Sequence, residues 1–129
     1  MKLIKVFILI TTTVGLFLGV SAHPVDQETA RAVASKFMKT TDMTTAATYS
    51  TSNGTPALFI FNTTDGFVIV AADDCETPII GYSHESRFNP DDVPVQMEDY
   101  LRDFVTRIHY GIDNQIVADE TTAKHWKLV

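Results

Sequence analysis

The sequence predicts an α+β fold: an antiparallel sheet of three to four strands with helices packed on it. Three observations predict it. Near the start "TARAVASKFM" and near the end "YLRDFVTRI" carry apolar residues at helical spacing. Between them lie short runs that are apolar on successive residues. Asn53-Gly54 and Asp65-Gly66 divide those runs as turns divide neighbouring strands. Helix, strands, helix is the order of helices layered on an antiparallel sheet.

The elements follow from the residues in order. Lys2 and Lys5 open a positive start, and Val6 to Val20 is uncharged and mostly apolar. That run of 15 residues is shorter than the roughly 20 of a spanning helix. Val20-Ser21-Ala22 sets small residues at the two positions a signal peptidase reads. The expectation is a signal peptide over 1–22 and a mature chain from His23, with an uncleaved anchor as the alternative. No Cys follows the apolar run, which argues against a lipid anchor there.

The remaining 107 residues, 23–129, suit one small domain. Losing two lysines leaves eight basic against sixteen acidic residues, a net charge of −8. Such a surface argues against nucleic acid and against anionic membranes as partners. Cys75 is the only cysteine, so an internal disulfide is excluded and packing must hold the domain.

Asp26 is placed to cap a helix whose stripe is Ala30, Val33, Ala34, Phe37 and Met38, with Glu28 near its positive end. One narrow stripe predicts that this helix lies on something flat. In the Thr/Ser-rich stretch that follows, Ala46 to Ser50 is a candidate edge strand. Ala57 to Asn62 and Phe67 to Ala72 read as a hairpin across Asp65-Gly66, with both faces covered. Thr77-Pro78 opens a further strand, Ile79 to Ser83. "HESRFNPDDVP" reads as an exposed loop. The last helix carries Met97, Tyr100, Leu101, Phe104, Val105 and Ile108 on one face. Pro94 fits an early position in it and Gly111 the residue just past its end. From Ile112 onward no period emerges, although "HWKLV" is apolar enough to dock.

Candidate chemistry is sparse. Asp73, Asp74, Cys75 and Glu76 adjoin one another and lack the spaced ligands of a zinc site or a calcium loop, so no metal or cofactor is expected. Cys75 with His84, His109 or His125 would make a thiol nucleophile only if its pKa were depressed. Three flanking acids raise it, and Cys75 follows a strand end. No Gly-x-Ser-x-Gly elbow and no phosphate-cradling glycine loop is present. Asn53-Gly54-Thr55 and Asn62-Thr63-Thr64 match a glycosylation acceptor pattern, the second at a strand end. Phe37, Phe59, Phe61, Phe67, Tyr100 and Phe104 read as core. The residues thus describe an exported binding or inhibitory domain and not an enzyme.

One stretch goes further. "YSTSNGTPALFIFNTTDGFVIVAADDCETPIIGYSHESRF" resembles the prodomain of streptopain-like cysteine proteases and the freestanding inhibitors related to it. The likeness lies in "FN", then "GFVIV", "ADD", "PIIGYS" and a Phe shortly after, followed by the aromatic-rich helix "YLRDFVTRI". "HPVDQETARAVASKFM" is similar to the first prodomain helix, so the resemblance runs from about Pro24 to Ile108. It implies a twisted antiparallel sheet with helices on it, and inhibition of a papain-fold cysteine protease whose active-site cleft the domain covers. The loop leading into the last helix is implied to meet the protease: here Asn89, Pro90, Asp91, Asp92, Val93, Pro94, Val95 and Gln96. Gln96 stands where the family often has an Asn just before the helix, and Ser86 where it often has a Gly before the Phe.

The expected partner is therefore a streptopain-like cysteine protease, with no nucleic acid and no membrane once the leader is removed. The domain is expected to be monomeric when free, and exported to the periplasm or the medium. Since the sequence stops at Val129 with no protease domain after it, a freestanding inhibitor is the first reading. A zymogen fragment acting in cis and a non-inhibitory exported binding module are the alternatives.

Overall fold

The computed structural model describes residues 23–129; the expected signal peptide lies outside the described residues. Among the described residues seven elements follow one another: α1 (Gln27–Met38), β1 (Thr44–Ser50), β2 (Pro56–Asn62), β3 (Phe67–Ala71), β4 (Ile79–Ser83), α2 (Val95–Asp113) and α3 (Glu120–Leu128). The strands form one four-stranded antiparallel meander in the order β1-β2-β3-β4.

Strand alternation sorts the side chains into two layers. Phe59 and Phe61 pair with Val70 and Val68. With Ala72 they face Ala30, Val33 and Ala34 of α1 and Met43. Leu58 and Ile60 pair with Ala71 and Ile69, and on the opposite face they pack with Leu101, Val105 and Ile108 of α2. The central strands are covered on both sides, as their continuous apolar runs predict. Each fully buried Leu, Ile or Phe there contributes on the order of 1.5–3 kcal/mol. α1 lies flat on the sheet, as its narrow stripe predicts.

Local chemistry sets the ends. Asp26 caps α1 by accepting the Thr29 N–H at 2.7 Å, and Lys39 ends it in the left-handed region at φ 58°. The β2–β3 turn closes with Thr63 N–H on Gly66 O at 2.9 Å and Gly66 N–H on Thr63 Oγ1 at 2.9 Å. Gly66 is required there by close approach: a Cβ would lie 1.9 Å from Ser83 O.

Several expectations are corrected. Pro94 is not inside α2 but is its N-cap residue, so Gln96 lies in the helix's first turn and not before it. Gly111 does not end α2. The helix runs on to Asp113 and stops at Gln115, φ 52°, where Gln115 and Ile116 N–H groups bond back to Ile112 and Gly111. Gly111 is instead a contact point, because a Cβ would meet Cys75 Sγ at 2.8 Å. The aperiodic tail contains α3, capped by Asp119 and held by Trp126 Nε1, which donates to Glu76 O at 2.7 Å. The loop before α2 is not exposed throughout, since Phe88 is buried. Phe37, Tyr100 and Phe104 are not full core: Phe37 and Tyr100 are 36% and 45% exposed and Phe104 is only partly buried, since Phe37 packs edge-on against the exposed Tyr82 and the Tyr100 and Phe104 rings pack on each other.

Candidate functional site

The segment from Asn89 to Gln96 is projected from the fold by a buried polar clamp. Asn62 ends β2, where its side chain is buried. Its Nδ2 donates to Phe88 O at 2.8 Å, and Phe88 N–H donates to Asn62 Oδ1 at 2.7 Å. One amide thereby satisfies both backbone groups of a residue 26 positions away, as a strand neighbour would. The Phe88 ring packs edge-on against Phe67 at 6.0 Å. The chain is pinned at Phe88 and emerges into solvent immediately after it.

The exposed part is short and internally braced. Asn89 accepts twice, from Asp91 N–H on Oδ1 at 3.0 Å and from Asp92 N–H on its carbonyl at 3.1 Å, which closes a turn around Pro90. Val93 is half-buried and packs on the core with Met97. Asn89, Pro90, Asp91, Asp92, Pro94, Val95 and Gln96 are exposed. Val95, 73% exposed, and the exposed Gln96 are the first two residues of α2.

The beginning of α2 is fixed from two further directions. Tyr49 of β1 donates its hydroxyl to Glu98 Oε2 at 2.8 Å, and Arg102 Nε reaches Glu98 Oε1 at 2.9 Å while its guanidinium covers the Tyr49 ring. The Tyr49 hydrogen bond, joined by Arg102, holds the Glu98 carboxyl below its usual range. Burial, with the Glu98 bond second, pushes the Tyr49 phenol up to about 12. Tyr100 donates its hydroxyl to Ile80 O at 2.9 Å. From the sequence Tyr100 reads as core, and Asn62 as a strand end within a glycan acceptor pattern. Their structural roles rest on contacts across the chain that leave no local pattern. The "FN" of the family resemblance was the one signal that pointed to Asn62.

The acids after β3 have a different role. Asp73 Oδ1 accepts the Cys75 N–H at 2.9 Å, and Asp74 accepts from His23. The Cys75 thiol is pushed up to about 12, first by burial, then by its hydrogen bond to Asp73 and the charges of Asp73, Glu76 and Asp74. That is the opposite of what a nucleophile needs. His84 packs edge-on against Tyr82, His109 Nε2 lies 2.9 Å from Asp113, and His125 Nδ1 lies 3.3 Å from the Thr77 hydroxyl. Among the described residues no three His, Cys, Asp or Glu side chains are placed to hold a metal ion. No helix there is long and apolar enough to cross a membrane.

A search of curated proteins and one of solved structures each found no match. A family model described as Spi protease inhibitor matches residues 22–108, a span that holds α1, the whole sheet, the Asn62–Phe88 clamp, the exposed loop and most of α2. The chain belongs to the Spi protease inhibitor family.

Proposed function

We propose that this protein is an exported, reversible inhibitor of a streptopain-like cysteine protease of papain fold, and that Asn89 to Gln96 occludes the protease's active-site cleft. The protease-inhibitor role itself comes with the family. The observation that carries the finer reading is the clamp between Asn62 and Phe88, which presents this segment on a rigid frame. A pre-ordered loop loses little entropy on binding, so more of its contact energy appears as affinity. Gln96, exposed in the first turn of α2, offers an amide suited to hydrogen bonding near a catalytic imidazole without reacting. Cleavage of the leader after Ala22 and release to the periplasm or medium complete the reading.

The test is the inhibition constant of Gln96→Ala, Gln96→Asn and the Pro94→Gly, Gln96→Ala double variant against a streptopain-like protease, with circular dichroism alongside. Gln96→Ala weakens inhibition by roughly 1–3 kcal/mol if its removal leaves buried polar groups of the protease unpaired. The melting temperature should barely move, because an exposed residue carries little core energy. Wild-type inhibition by all three variants would move the contact to another face.

A further inference from the structure

The first described residues are laced onto the acids that follow β3. Val25 N–H donates to Ala72 O at 2.8 Å, Pro24 bridges Asp73, and Asp74 N–H donates to His23 O at 3.0 Å. The Asp74 carboxylate adds two contacts to His23. The backbone N–H donates to Oδ1 at 2.8 Å, and ring Nδ1 lies 3.5 Å from Oδ2. Asp73 is otherwise engaged, its Oδ1 taken by the Cys75 N–H. The carboxylate that meets the His23 nitrogen is therefore that of Asp74.

That nitrogen is an amide with one hydrogen and no charge while Ala22 is attached. Hydrolysis of the Ala22–His23 bond by a signal-peptidase-type endopeptidase consumes one water: Ala22 leaves as a carboxylate and the His23 nitrogen becomes an ammonium with three donors. The sequence places small residues, Val20 and Ala22, at the two positions such an enzyme reads before this bond. This observation is independent of the contact geometry. We propose that cleavage after Ala22 converts the His23–Asp74 hydrogen bond into an ion pair, so that Asp74 is the receptor for the N-terminus that processing creates. A charge-assisted bond is stronger than the neutral one it replaces. Asp26, which caps α1, follows Val25 directly, so the capture also fixes where the first helix starts.

The proposal rests on the export reading for the site of cleavage, and its test separates the two. Chains are made to begin at His23 with a free amine, at His23 with an acetylated amine, and at Ala22, each also as Asp74→Asn. Amide hydrogen exchange is followed at Val25 and residue 74. The free-amine chain should exchange about two- to five-fold more slowly at these sites than the acetylated and Ala22-extended chains, as expected for a partly exposed ion pair. The difference should vanish in Asp74→Asn. Equal exchange in the three Asp74 chains, or a difference that survives Asp74→Asn, overturns the capture, whether or not the protein is exported. Should Asp74→Asn fail to fold, the acetylated chain alone decides, since acetylation removes the charge and leaves every side chain in place. Mass spectrometry of secreted protein should find His23 first. Any other first residue overturns the role of processing.

Discussion

Asn62 and Phe88 are joined by two hydrogen bonds, 2.8 and 2.7 Å long, between one side-chain amide and one residue's backbone. This pair is what turns the stretch after β4 into a presented loop. Asn62→Ala strands both backbone groups of Phe88 in a buried site and should cost about 1–3 kcal/mol, read by urea denaturation. Asn62→Asp keeps an acceptor for the Phe88 N–H but sets a carboxylate oxygen against the Phe88 carbonyl, and should be at least as damaging. Inhibition should weaken in both beyond the fraction unfolded. Wild-type inhibition from either variant would show that the clamp does not shape the contact.

Two glycines separate conformation from close approach. Gly66→Ala drives a Cβ to 1.9 Å from the Ser83 carbonyl, which is backbone and must shift; a loss of roughly 1–3 kcal/mol or more is expected. At Gly54, φ 86°, open space surrounds the missing Cβ, so Gly54→Ala should cost only the backbone preference, about 1–2 kcal/mol. Thermal melts of the two variants give the comparison, and a smaller loss at Gly66 than at Gly54 contradicts it.

The face of α2 gives a graded prediction. Leu101 is fully buried in the α2–sheet core, whereas Phe104 is half-buried against Tyr100, with Arg107 over its ring. Leu101→Ala should cost about 2–5 kcal/mol. Phe104→Ala should cost less than the full-burial figure of about 3–5 kcal/mol that its place in the helical stripe suggests. Equilibrium unfolding of both variants decides the order.

The fold was largely legible in the sequence because strands and amphipathic helices announce themselves locally. The apolar runs bracket β2, β3 and β4 within a residue, and Asp26 marks the start of α1. What was not legible depends on distant residues. Gly111 looks like a helix stop, but its missing side chain makes room for Cys75, and the stop falls on Gln115. The tail helix α3 is too short and polar to show a period, and its anchor is a bond from Trp126 to Glu76 across 50 positions. The exposed loop was indicated by its prolines and by resemblance, whereas the Asn62 clamp that positions it is a tertiary contact.

Titration should be asymmetric. Cys75 and Tyr49 are both raised to about 12, so above their ordinary values, about 8.5 and 10, the unfolded chain ionises before the folded one. The folded state then binds more protons, and stability falls as pH rises through the interval up to about 12. At the acid end the lowered carboxyls of Asp26, Asp119 and Glu98 contribute stability above the usual carboxylate range. That contribution is lost as pH falls through their depressed values. Denaturation midpoints across pH should show Cys75→Ser removing part of the alkaline decline while inhibition stays intact. Loss of inhibition in a folded Cys75→Ser protein would make the thiol functional.

We propose above that this domain blocks a streptopain-like cysteine protease by filling its cleft, and such an inhibitor is not consumed. The most direct measurement is a titration of such a protease with the chain from His23 to Val129, following peptide hydrolysis, then dilution, then mass spectrometry of the recovered inhibitor. Saturable inhibition that reverses on dilution is expected, with an intact chain afterwards and no effect on an unrelated serine protease under the same conditions. Full protease activity at saturating chain, or inhibition accompanied by cleavage between Asn89 and Gln96, would contradict the proposal.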